Sequence, residues 1–205
     1  MEANETQALE EIRIIRRMLG ETRRRVARTG WLHHVLLGAS GTLVALGDWL
    51  LVVTGHVSHP FMPAVVYWIV FSPLSMLANW YGTRQGINSL VGRTIGTTWM
   101  AIGNAIFASA FAAWLVNVPG QFEAAVIAFI VGAALLITGF LIEVAWLYNI
   151  FAVLWFLGGF LMILVPGKID LIHAALFFVS FLIPGYLTKH YSQTPELGDA
   201  TEASV

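Results

Sequence analysis

Cysteine is absent from all 205 residues. That excludes disulfides, thiolate metal sites and cysteine nucleophiles. Charge is scarce: Asp, Glu, Lys and Arg make up 11% of the chain, where a soluble domain carries roughly 25%. No Gly-rich phosphate loop, Ser-His-Asp arrangement or HExxH motif occurs, so the usual sequence marks of nucleotide, acyl-transfer and zinc-protease chemistry are missing. No polar stretch is long enough for a soluble domain. What the chain has instead is apolar residues, 58% of the total, gathered into one stretch from about residue 31 to residue 188 with short breaks.

A bilayer core offers no water to peptide groups, so segments that cross it must bond their own backbone, as a helix does. The expected fold is therefore all-α: a polytopic membrane protein of six transmembrane helices, preceded by a cytoplasmic amphipathic helix. The expected spans are about Trp31–Val53, Phe61–Tyr81, Ile95–Val116, Phe122–Ile142, Ala145–Val165 and Leu171–Leu187, each near the roughly 20 residues that cross a 30 Å core. Pro73 is expected to kink the second span. Glu143 is the only charge between the fourth and fifth, and no Gly-Pro turn is present, which predicts a very tight hairpin. Three regions result: a basic helix over 1–30, a membrane bundle over 31–188 and a polar tail over 189–205.

The few charges are distributed unevenly. Seven of the eleven basic residues, Arg13, Arg16, Arg17, Arg23, Arg24, Arg25 and Arg28, lie in the first 30 positions. With the N terminus in the cytoplasm and six spans, Arg84, Arg93 and Lys189 also fall inside, and Lys168 alone falls outside. That positive-inside pattern places both termini in the cytoplasm. Trp31, Trp80, Tyr81, Trp114 and Tyr186 fall near span ends, where aromatic rings favour the headgroup boundary. The first 30 residues are too charged to read as a cleavable signal peptide.

Within the basic region, Ala8, Ile12, Ile15, Leu19, Thr22 and Val26 follow each other at spacings of four and three, a short heptad seam. Two readings fit: a basic helix on the anionic inner leaflet, or a helix that pairs with another helix. Nucleic acid is not an expected partner, since no nucleic-acid-binding fold surrounds the arginines. Small residues recur at helix-packing spacing, with Gly38, Gly41, Thr42 and Ala45 in the first span and Ala101, Ala105, Ser109, Ala112 and Ala113 in the third. They point to close helix packing inside the bundle, with an oligomer contact as the alternative.

Asp48 is the sharpest single residue, a carboxyl group in the outward half of the first span. Such a group is costly in a membrane unless paired, protonated or wetted. It is a candidate proton- or cation-binding group, with Asn104 of the third span as a candidate partner. A second candidate grouping is His56, His59, Asp170 and His173 on the outer side, residue types that ligate zinc. No cofactor is otherwise expected. A haem held between His33 and His173 fails, because the two lie at opposite depths. On the inner side, Glu143 is placed to pair with Arg84 or Arg93.

Glu11-Ile12-Arg13 through Arg16-Arg17-Met18, then Gly38-Ala39-Ser40-Gly41, then Ile172-His173 through Lys189-His190-Tyr191 together resemble a group of uncharacterised bacterial six-helix integral membrane proteins. The resemblance implies six spans and a bacterial inner-membrane location, and it transfers no activity. Few polar residues in the spans, short loops and a large basic helix lead to an expected role as a non-catalytic accessory, scaffold or regulatory subunit that docks other membrane proteins or itself. The alternative is a small-molecule or ion transporter with Asp48 as its coupling carboxylate. A metal protein using the outer histidines is the third reading.

Overall fold

The computed structural model describes residues 2–56, 90–141 and 145–187, together with Ile69, Pro73 and Leu77. In the first 30 residues, side chains are described for Glu11, Ile12 and Ile14. The described residues form helices and short turns: α1 (Glu2–Val53), α2 (Leu90–Leu115), α3 (Gly120–Leu141), α4 (Ala145–Leu164), a 3-10 turn (Pro166–Lys168), α5 (Ile169–Phe177) and a π turn (Phe178–Leu182) that continues α5. Five helices are long and apolar enough to cross a membrane, at Trp31–Val53, Arg93–Leu115, Gly120–Leu141, Trp146–Leu164 and Pro166–Leu187. This is the make-up of a helical membrane protein. The expected second span lies outside the described residues save for Ile69, Pro73 and Leu77, which are helical and exposed.

α3 and α4 form the most extensive helix pair. Three positions separate them, 142–144, so they run antiparallel; the tight turn expected there lies outside the described residues. α3 contributes a small-residue face of Ala124, Ala125, Ala128, Gly132, Ala134 and Gly139. The aromatic rings of the hairpin fill the space this leaves. A Cβ at Gly132 would stand 3.0 Å from the Phe156 ring, and one at Gly159 would stand 2.6 Å from Phe129. Small side chains thus let backbones approach where lipid gives no hydrophobic push.

α1 packs along α5 and the π turn. The register is antiparallel. Gly185 lies against Val35, Gly38 against Leu182, and Gly41 against the Phe177 ring, while the Thr42 hydroxyl reaches the Ala174 carbonyl at 3.5 Å. The small residues of the first span therefore do serve internal packing. In the third the stripe is mostly outward: Ala101, Ala105 and Ala112 are exposed, while Ser109 and Ala113 are half-buried. α2 instead turns Ile95, Trp99 and Ile106 toward the core, and Trp99 Nε1 donates to Thr138 Oγ1 of α3 at 3.1 Å.

Two helix ends are closed by left-handed residues. Gly55 (φ 79°) and Asn117 (φ 55°) follow α1 and α2. In each case the next amide reaches back to a carbonyl five residues earlier, His56 to Leu51 at 2.8 Å and Val118 to Ala113 at 2.9 Å, as in a Schellman cap. The register of the helix pairs defines two ends of the bundle. α1 enters at the near end, with Trp31, and finishes at the far end, where α5 begins. α2 starts at the near end, since Trp99 meets the C-terminal part of α3.

The core centre is Trp155, fully buried. Its ring stands 5.1 Å from Phe177, 6.1 Å from Phe181 and 6.1 Å from His173. Phe181 in turn meets Trp99 at 5.7 Å and His34 at 6.0 Å. One aromatic cluster thus ties α1, α2, α4 and the last helix together.

Candidate functional site

The α1–α5 register carries Asp48 to the level of Asp170. From Gly41 opposite Phe177, two further turns of α1 reach Asp48, and two turns back along α5 reach Asp170. The register thus brings the two carboxyl groups together across the α1–α5 contact, and both side chains are half-buried. Asp170 is in the first turn of α5, directly after the 3-10 turn that Pro166 opens. An ionised carboxylate only accepts hydrogen bonds. Between two of them, a hydrogen bond requires one proton.

His173 is one turn along α5 from Asp170. It is 8% exposed, and its Nε2 is buried without a hydrogen-bond partner. Three more buried polar atoms share this state, Asn149 Oδ1, Trp155 Nε1 and Ser180 Oγ. Such atoms are unusual in a folded interior and call for a partner such as ordered water. Toward the near end, Tyr148 Oη and His34 Nε2 stand 2.8 Å apart, with their rings edge to face at 5.6 Å.

The residues expected to carry chemistry fall in several places. Asp48 meets Asp170, not Asn104, which is exposed on α2. The outer grouping divides. Asp170 and His173 share α5, while His56 is exposed beyond the end of α1 with its Nδ1 3.2 Å from Thr54 Oγ1. His59 lies outside the described residues. Among the described residues, no three His, Asp or Glu side chains come close enough to hold a metal ion. Of the inner ion-pair candidates, Arg93 is exposed at the start of α2, and Glu143 and Arg84 lie outside the described residues. Arg13, Arg16, Arg17, Arg23, Arg24, Arg25 and Arg28 are on α1, but their side chains are outside what is described.

Three polar positions escaped the sequence reading: Tyr148, Trp155 and Ser180. Tyr148 and Trp155 are seven residues apart on α4, hence on one face, and both carry a polar tip within the span. That spacing was the available signal. Compared with protein families, curated proteins and solved structures, the chain matches none.

Proposed function

We propose that the protein is a non-catalytic membrane component that docks a helix of another membrane subunit, or of a second copy, through the N-terminal part of α1. The observation that carries this reading is the length of α1. It runs unbroken for 52 residues, of which Trp31–Val53 is the apolar span. Residues 2–30 extend it by roughly 44 Å at 1.5 Å per residue. A helix lying on the membrane needs a bend where it leaves the span, and α1 is one unbroken helix there. Its heptad seam is thereby carried away from the bilayer; Ile12 of that seam is exposed at 49%, and Ile14 beside it at 50%. An apolar seam on a projecting helix is suited to a partner helix. The arginines nearest the span, Arg23 to Arg28, remain within reach of anionic headgroups.

The arginine bias supports a cytoplasmic N terminus in a bacterial inner membrane. α1 ends and α2 begins at opposite ends of the bundle, which supports the six-span count and a cytoplasmic C terminus. The test is the mass of the particle extracted gently from native membranes, by native mass spectrometry, for the full chain and for a variant lacking residues 2–28. The expected result is a stoichiometric complex that the deletion dissolves while membrane insertion is kept. A monomer without partner, or an assembly that survives the deletion, would overturn the reading.

A further inference from the structure

We propose that Asp48, Asp170 and His173 form a proton-binding site, in which one proton is held between the two carboxyl groups where the first and last helices meet at the far end. This is independent of the docking role of the N-terminal helix. Two ionised carboxylates in contact repel and have no donor between them. A hydrogen bond between Asp48 and Asp170, which the α1–α5 register brings together, is therefore possible only with a proton in it. It is also a bond between helices, so the proton becomes part of the α1–α5 contact.

His173 adds a second, separate observation. Side chains on a helix lean toward its N terminus, which for His173 is the turn carrying Asp170. Its Nε2 is buried and unpartnered. A water between that nitrogen and the carboxyl pair satisfies both and gives the proton an inner acceptor. A metal ion does not fit the same three groups, since they do not converge to ligating range.

Among the described residues, no basic side chain is buried against the pair. From α4, the residue at this level is Met162, buried and uncharged. Lys168, in the turn before α5, is exposed, as is His56 beyond α1. Glu123, near the same end on α3, is half-buried and is not among the groups that act on Asp170. Loss of the proton thus places two negative charges across the helix contact, and binding it again locks α1 onto the last helix. The clamp tightens as pH falls and loosens as pH rises.

Infrared spectroscopy of the full chain in lipid nanodiscs tests this, because a protonated carboxyl absorbs apart from an ionised one and shifts in D2O. The expected result at neutral pH is a protonated-carboxyl band of one equivalent per chain. It should vanish in Asp48→Asn and in Asp170→Asn, where the amide N–H donates to the remaining carboxylate and no proton is needed. It should survive Glu123→Gln and change frequency in His173→Phe. No protonated band in the wild type, or a band that persists in both Asn variants, would overturn the proposal. If either Asn variant fails to fold, thermal unfolding of the wild type across pH decides instead. Stability that falls as pH rises through the band's titration supports the site, and a flat profile sinks it.

Discussion

A methyl group added at Gly38 would sit 2.6 Å from the backbone nitrogen of Leu182. Backbone cannot swing aside as a side-chain tip can, so Gly38→Ala must push α1 away from the last helix. The expected cost is about 1–3 kcal/mol, the range for overpacking a tight contact. Gly47 is the matched control, since nothing lies within 4 Å of its Cβ position. Gly47→Ala should be neutral or stabilise by up to about 1 kcal/mol through helix propensity. Thermal unfolding of both variants in one detergent separates the effects, and equal midpoints would show that α1 does not pack at this distance. At this scale the sequence was readable in part. Gly38, Gly41 and Ala45 announced close packing by their spacing. The similar stripe of Ala101, Ala105 and Ala112 did not, because small residues permit close approach without requiring it. The bulkier Ile95, Trp99 and Ile106 bury more surface and so decide which way α2 faces.

Among elements, the span limits were largely legible: the expected first span, Trp31–Val53, coincides with the apolar part of α1, and the described later spans differ by a few residues at their ends. Apolar run length and turn residues fix these limits locally. The π turn at Phe178–Leu182 was not foreseen, although Pro184 stood in plain view inside the last span. Pro184 has no N–H, and its ring presses on the carbonyl one turn back. The helix widens just before it, with the Ile183 amide bonding to the Phe178 carbonyl, which gives the ring room. The continuity of α1 was also not legible. Gly20 lies inside it, and glycine weakens a helix interior, yet a helix already nucleated by a membrane span extends at little further cost. A direct check is the distance between spin labels at residues 5 and 27. A straight helix places them about 33 Å apart, and pulsed electron resonance in nanodiscs should return a single narrow distance near that value. A shorter or broad distribution would reveal a hinge and return the arginine helix to the membrane surface.

For the whole molecule, the first and last helices close the fold, and this is what the sequence conceals most. Asp48 was visible as a costly carboxyl group in the first span and Asp170 as a candidate zinc-type ligand on the outer side, but they are 122 positions apart, and nothing local says that the first span lies against the last. Asn104 was as reasonable a partner on depth alone. The same pairing gives the most decisive test, because the chain has no native cysteine and any introduced disulfide is unambiguous. The Thr42 hydroxyl stands 3.5 Å from the Ala174 carbonyl, so Thr42→Cys with Ala174→Cys should oxidise readily in intact membranes. The bond would close a loop through nearly the whole bundle, for which the chain-entropy relation sets an upper value of about 5 kcal/mol. A real gain below that is expected, because helices already inserted in a bilayer have less freedom to lose than an unfolded chain in water. The oxidised product should run as a cross-linked monomer and unfold at higher temperature than its reduced form, whereas each single variant should stay uncross-linked at this position. A cross-linked dimer would mean that the last helix of one copy receives α1 of another. The carboxyl pair would then join two chains, and the proton held between them would govern assembly in place of the closure of a single bundle.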